Sequence, residues 1–284
     1  MARSLTLYSR HPFDFFISRF FRITPSYWLF TIITVVLIEL FQDRFTLSDY
    51  SLSSLCLSLF YISHNNPAGT GCFPTLTVGW TLNYEMFFYL VLSLCLMVNR
   101  SAAIYICSCC FILVFFQNLE CTQCFCIWSR GDLLLEFALG MIIGKVYLRT
   151  INISNRLNLI VCVITFISCL LLFPVIGVFL KAKLLFCTLI VYLLALLERR
   201  CNKNNRIIFG LCFLGDISYS TYLCHVPILY TSYLIIPKYS NPIIEIIIIL
   251  ILTIFIIMIS WLSFRIIETN HSINRLKYFL IQKT

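Results

Sequence analysis

Apolar residues run along this chain in long stretches, without the two-residue alternation of a half-buried strand. Eight stretches approach or reach the length that a helix rising about 1.5 Å per residue needs to cross a hydrocarbon core of about 30 Å. They are residues 27–41, 80–98, 102–117, 132–148, 157–173, 178–197, 217–236 and 243–264. A ninth, 52–62, is short, and either spans or lies flat at the interface.

Basic residues between the stretches decide how the ninth is read, because cytoplasmic loops of membrane proteins carry the excess of Lys and Arg. With 52–62 outside the bilayer and the N-terminus cytoplasmic, 16 of the 21 Lys and Arg fall inside and 5 outside. If 52–62 spans, every later loop flips and the division becomes 8 inside and 13 outside. The pattern therefore predicts an all-α fold: a polytopic transmembrane bundle of eight spans. One domain covers residues 1–284, both termini are cytoplasmic, and an outer segment runs from 42 to 79.

Composition agrees. The 284 residues are 60% hydrophobic and 12% charged, with a mean hydropathy of +0.93. A soluble domain is nearer a quarter charged, so there is too little polar surface for a soluble globule. The first 25 residues hold Arg3, Arg10, Asp14, Arg19 and Arg22 and no clean apolar core, so no signal peptide is expected. The net charge of +9 is spread over several short segments. That suits orientation and attraction to anionic membrane lipids, and does not suggest a nucleic-acid partner. Fifteen cysteines are many, but most lie inside apolar runs, where Cys packs as a small hydrophobe. Cys121, Cys124 and Cys126 cluster without a nearby His or a second Cys pair, so no metal site is expected.

Ionisable groups at bilayer depth are costly and tend to mark function. Glu39 and Glu245 lie near outer helix ends, where headgroups are within reach. Asp216 precedes the span at 217–236 and can cap it. Glu85 sits inside the 80–98 span, behind Trp80 and Tyr84 at the level of an aromatic belt. It either orients a sugar hydroxyl or a basic partner, or forms a structural ion pair. Ser218, Tyr222 and His225 share a helix face at spacings of four and seven, with Tyr219 beside Tyr222. His225 is either a hydrogen-bonded packing residue or a base. Arg19 and Arg22, three apart and just before the first span, either clamp phosphates at the cytoplasmic surface or anchor the helix.

Three segments together resemble acyltransferase family 3, the membrane O-acyltransferases. Residues 19–28 (RFFRITPSYW) resemble the family's Arg-x-x-Arg-Ile-x-Pro-x-Tyr block. Residues 80–90 (WTLNYEMFFYL) resemble its Trp-Ser-Leu-x-x-Glu-x-x-Phe-Tyr block. Residues 215–225 (GDISYSTYLCH) resemble its Gly-x-x-Ser-Tyr-x-x-Tyr-Leu-x-His block. Arg130 with Glu136 and Gly140 is a weaker fourth match. The resemblance implies transfer of an acetyl group from acetyl-CoA, a co-substrate and not a bound cofactor, to a hydroxyl of a carbohydrate. The acceptors are O-antigen or exopolysaccharide, lipid-linked in some cases, at a bacterial plasma membrane. It implies Arg19 and Arg22 as donor-binding residues on the cytoplasmic side. Glu85 and His225 become catalytic candidates, and Trp80, Arg130, Ser218, Tyr219 and Tyr222 line an acceptor route, with Glu85 and Arg130 on the outer side. It also implies two spans ahead of this chain's first, carrying an Arg and a basic His about three helical turns apart. The chain reads as starting after them, which leaves an inactive fragment as an alternative. A lipid-linked sugar transporter or flippase is another alternative; it would favour inverted repeats or paired broken helices, and neither is read here. A glycan polymerase or ligase would bring large outer loops, and only 42–79 is long.

Overall fold

A computed structural model describes residues 12–41, 50–67, 71–116, 131–150, 206–237 and 241–283, with isolated positions between 160 and 195. Every regular element among the described residues is helical. In chain order these are α1 (Pro12–Leu40), α2 (Leu52–Leu59), a 3-10 turn (Thr77–Gly79), α3 (Trp80–Val98), α4 (Ala103–Phe116) and α5 (Gly131–Thr150). There follow α6 (Arg206–Ile235), α7 (Pro242–Ser263), a π turn (Phe264–Glu268) and α8 (His271–Lys283).

Among the described residues, four stretches are long and apolar enough to cross a membrane: Pro12–Leu40, Thr77–Val98, Arg206–Ile235 and Pro242–Ile273. α4 is apolar but shorter. The expected spans at 157–173 and 178–197 lie largely outside the described residues. The reason for helix is clearest in α7, whose sequence PIIEIIIILILTIFIIMISWLS is dominated by β-branched isoleucine. Local preference would favour strand. In lipid, backbone groups have no water to bond, so a single span must satisfy them internally, and only a helix does that. Asn241 starts α7 by accepting a hydrogen bond from the Ile243 amide at 2.9 Å, with Pro242 in the first turn.

Two helix starts differ from the hydropathy pattern. α1 begins at Pro12, about four turns before the expected position 27, because hydropathy falls at Arg19 and Arg22 while backbone hydrogen bonding continues through them. Arg19 and Arg22 therefore lie within the helix, not ahead of it. α6 begins at Arg206, so Asp216 sits inside a continuous helix, exposed, and caps nothing.

The chain's contacts fall into two compact units. The first takes residues 1–12, 91–119 and 130–209, and the described part is built on α4 and α5. α4 buries Ala103, Cys107 and Phe111 at four-residue spacing, and α5 buries Leu134, Ala138 and Met141. Lys145 lays its ammonium 3.7 Å from the centre of the Tyr105 ring.

The second unit takes residues 13–90, 120–129 and 210–284. In it α1 and the start of α3 run antiparallel: Phe15 meets Tyr89 edge-on at 5.8 Å, and Tyr27 closes on Gly79. α2 has eight residues, or about 12 Å of helix, too short to span. A capping box between Ser51 and Ser54 starts it. It docks on α1 through its backbone: Tyr27 donates to the Ser58 carbonyl at 3.0 Å and Trp28 Nε1 to the Leu59 carbonyl at 2.9 Å. Tyr61 follows at φ 60°, a conformation few side chains tolerate. It is held by stacking on Tyr27 at 5.0 Å and by donating to Thr24 Oγ1 at 3.0 Å. α6 and α7 meet along small residues, with Ser220 3.1 Å from Ser263 and Cys224 3.2 Å from Ser260. That is the usual way helices approach closely where lipid removes the hydrophobic drive.

A Cβ at Gly79 would lie 2.6 Å from Tyr27 Cε2 and 2.9 Å from its hydroxyl oxygen. Gly79→Ala is therefore expected to lower stability by about 1–3 kcal/mol through overpacking. Thermal unfolding in detergent, followed by tryptophan fluorescence, reads this out. An unchanged midpoint would show that Tyr27 has room to move.

Candidate active site

The site grows from one helix face in the second unit. Glu85 and Tyr89 are four apart on α3 and therefore neighbours. The Tyr89 hydroxyl donates to Glu85 Oε1 at 2.5 Å. Across the helix pair, the Arg19 guanidinium lies over two rings, 5.6 Å from the centre of Phe15 and 5.7 Å from that of Tyr89. A cation over an aromatic face is attracted by the ring's negative centre. Arg19, Tyr89 and Glu85 thus form one cluster: cation, phenol, carboxylate. Arg22, one turn on, is exposed, and its charge acts on Tyr89 and on Glu268.

This cluster corrects the expectation that the two arginines and Glu85 sit across the bilayer from one another. The antiparallel register of α1 and α3 brings Arg19 and Glu85 to one level, within a helical turn. The hydropathy pattern missed this because it placed the start of α1 at 27.

Around Glu85 stand further tyrosines. Tyr61, Tyr219 and Tyr222 each bond to α1 or to the segment that opens α3. Tyr219 is tied to α1, donating to the Ile23 carbonyl at 2.8 Å. Tyr222 is tied to the start of α3, donating to the Val78 carbonyl at 2.8 Å with its oxygen 2.7 Å from Thr81 Oγ1. Burial pushes the Tyr61 hydroxyl well above its ordinary range; its bond to Thr24 opposes the shift and the Glu85 charge adds to it. The Tyr61 hydroxyl donates to Thr24 Oγ1.

The other expected residues divide. Trp80 is half-buried and meets Tyr84 edge-on at 6.1 Å. His225 is half-buried; its Nδ1 lies 3.2 Å from the Thr221 carbonyl and its ring 5.9 Å from that of Tyr222. Donation from Nδ1 to that carbonyl would leave Nε2 as the basic nitrogen. Ser218 does not join the tyrosines: it is exposed and donates back to the Gly215 carbonyl at 2.7 Å. The buried face of α6 runs through Ile217, Ser220, Leu223, Cys224 and Pro227, while half-buried Tyr219 and Tyr222 reach sideways to α1 and to the turn before α3. Glu39 and Glu245 are exposed, and Glu39 takes a hydrogen bond from Tyr50. Glu136 is exposed on α5 in the first unit. Arg130 and the Cys121, Cys124 and Cys126 cluster lie outside the described residues. Among the described residues no group of three or more His, Cys, Asp or Glu is placed to hold a metal ion.

Three participants were not singled out from the sequence. Tyr89 carried a signal, since it lies four residues beyond Glu85. Glu268 carried none, because it follows the last apolar run; it accepts from buried Ser220 at 2.6 Å in a part-buried seam between α6 and the π turn. Asn83 is 3% exposed and donates to Ser63 at 3.3 Å, while its Oδ1 has no partner.

The shared level is open to a direct test. With other thiols replaced, Arg19→Cys and Tyr89→Cys should be joined in high yield by a short bis-maleimide in native membranes. Leu40→Cys with Tyr89→Cys should not, because residue 40 lies about 30 Å further along α1. Joining of the second pair and not the first would discard the register.

Comparison with known proteins follows this geometry. Over 142 residues the chain is 31% identical to the exopolysaccharide production protein ExoZ of Rhizobium meliloti (strain 1021). The match takes in 49% of this chain and 44% of that protein, so the chain spans less than half of this curated relative. No solved structure matches. A family model described as an acyltransferase domain matches residues 6–264, across both units, and the chain belongs to acyltransferase family 3.

Proposed function

We propose that this chain is a multi-pass membrane O-acyltransferase that moves an acetyl group from acetyl-CoA to a hydroxyl of a cell-envelope carbohydrate of the exopolysaccharide or O-antigen kind. Family membership and the likeness to an exopolysaccharide production protein support the reaction class. The observation that carries the reading is the Arg19–Tyr89–Glu85 cluster, which sets a base beside a fixed cation at one level of the membrane. The charge distribution favours eight spans with cytoplasmic termini, and the exposed Arg22, one turn on from Arg19, offers a second cation to a nucleotide donor.

The chemistry needs few parts. The Glu85 carboxylate takes the proton of the acceptor hydroxyl, and the hydroxyl oxygen attacks the thioester carbonyl. Negative charge gathers on the carbonyl oxygen, and the fixed guanidinium of Arg19 stabilises it. The C–S bond then breaks, the new ester leaves with the glycan, and the coenzyme A thiolate takes up the proton. Tyr89 holds Glu85 in place by donating to it. Arg22 binds the donor phosphates. Tyr219 and Tyr222 offer hydroxyls along the acceptor's route, with Trp80 and His225 further along it.

Glu85→Gln should lower kcat about 10²–10⁴-fold, the usual contribution of a general base. Arg22→Ala should instead raise KM for acetyl-CoA about tenfold with kcat kept. His225→Gln separates its two roles, since a packing residue tolerates an amide and a base does not. The assay is incorporation of labelled acetyl into glycan in membranes carrying the expressed chain. Absence of transfer by well-expressed wild-type protein would overturn the reading, and full activity in Glu85→Gln would remove the base from that residue.

A further inference from the structure

α8 differs in kind from the helix before it. α7 is apolar on almost every side, whereas α8 (HSINRLKYFLIQK) mixes apolar and basic residues. At about 100° per residue, Phe279, Leu276, Leu280 and Ile273 fall within an arc of about 120°. Arg275 stands about 40° beyond one edge of that arc and Lys277 about 40° beyond the other. The arc is open on the Phe279 side: Leu276 and Phe279 are each 53% exposed, while Ile273 and Leu280 are half-buried. Exposed Arg275 flanks this open side. Among the described residues it donates through Nε to His271 Nε2 at 2.9 Å, which leaves its terminal nitrogens for a phosphate. From 269 to 284 the chain holds Arg275, Lys277 and Lys283 and no Asp or Glu.

The position of α8 follows from α7. The 22 residues of α7 rise about 33 Å, enough by themselves to cross a hydrocarbon core of about 30 Å. Trp261 and Arg265 mark its far end: both are exposed, and the guanidinium lies 5.5 Å from the centre of the indole ring. Aromatic and basic side chains at the end of a span settle at the headgroup level. The helical ladder then stops. Thr269 closes the π turn, and Asn270 opens α8 by accepting from the Ser272 amide at 2.8 Å. α8 is thus a new helix that starts where hydrocarbon gives way to headgroups. An amphipathic helix in that layer is most stable lying in the membrane plane, with its apolar arc toward the acyl chains and its flanking cations toward phosphates.

We propose that α8 lies in the headgroup layer of the leaflet where α7 ends and binds anionic phospholipid there. Leu276 and Phe279 sit among the upper acyl chains, and Arg275 and Lys277 meet the phosphates. Net charge alone suggests attraction to anionic lipid over the surface in general; two cations bracketing one apolar arc give that attraction a place. The distribution of Lys and Arg favours the cytoplasmic leaflet, which carries anionic lipid. Glu268, bound to Ser220, lies three residues before α8 begins, so one short turn joins the lipid-bound helix to the interior of the second unit.

The test places the photoreactive residue benzoylphenylalanine at position 276, 278 or 279 of the full chain, in vesicles of equal parts phosphatidylglycerol and phosphatidylcholine. Adducts formed on irradiation are identified by mass spectrometry. Positions 276 and 279 should join acyl chains, and position 278, about 160° from 276 around the helix, should do so far less. At 279, phosphatidylglycerol adducts should exceed phosphatidylcholine adducts about fivefold, the effect of one cation at an anionic surface. The excess should disappear with Arg275→Gln and Lys277→Gln together, and shrink in about 1 M salt. Adducts to protein in place of lipid at 276 and 279, whether to another segment or to a second copy, would overturn the proposal. Lipid adducts as frequent at 278 as at 276 would remove the in-plane setting, and equal labelling of the two lipids would remove the preference for charge; either overturns it. The lipid ratio is read on the chain with both cations in place, so it decides the matter even if the double variant fails to fold.

Discussion

A carboxylate within a helix long and apolar enough to cross a membrane is the constraint around which the second unit is arranged. An isolated ionised group in a medium of low dielectric is strongly disfavoured, so a carboxylate there must be hydrogen-bonded, paired or exposed to water. Glu85 meets the demand with a phenol one turn away on its own helix, Tyr89, whose ring is in turn covered by the Arg19 guanidinium. Two helices far apart in sequence are thereby tied at one height. The tyrosines from α6 and from the end of α2 complete the surround, each pinned by its own hydrogen bond to a carbonyl or hydroxyl on α1 or at the start of α3. A polar interior of this kind is costly if any member is left unpaired, and it fixes the helices in register when all are satisfied.

Outside that interior the unit holds together by close approach. Gly79 admits the Tyr27 ring, and serines and a cysteine line the seam between α6 and α7. Lipid offers apolar side chains as good an environment as protein does, so dispersion contacts and hydrogen bonds between backbones decide which helices pair. α7 shows the other side of the same rule. It buries only Ile256, Ser260 and Ser263, and nearly all its isoleucines are turned outward.

The helical fold was legible in the sequence because the bilayer leaves an apolar run no other choice. Where helices begin was less so. Hydropathy falls at Arg19 and Arg22, yet a helix needs only backbone bonds and continues through them; the same holds for the residues before Asp216. The site was legible where it is local. Glu85 stood out as a carboxylate inside an apolar run, and the pairing of Tyr219 with Tyr222 followed from their spacing. Ser218 was misplaced by one position on the wheel, since a stripe read from three residues does not fix which edge faces inward. The meeting of Arg19 with Tyr89 is a matter of register between helices and leaves no trace in either segment alone.

The seating of α2 has a consequence for how this region can vary over time. Tyr27 and Trp28 grip the carbonyls of Ser58 and Leu59, which any amino acid would supply. The socket on α1 reads only backbone, so the identity of α2 is held elsewhere, by the Ser51–Ser54 cap and by buried Ser58, whose hydroxyl takes the Thr75 amide at 3.0 Å. Drift at the exposed letters of α2 should therefore be tolerated by its anchorage, while replacement of either aromatic ring on α1 would cast the short helix loose.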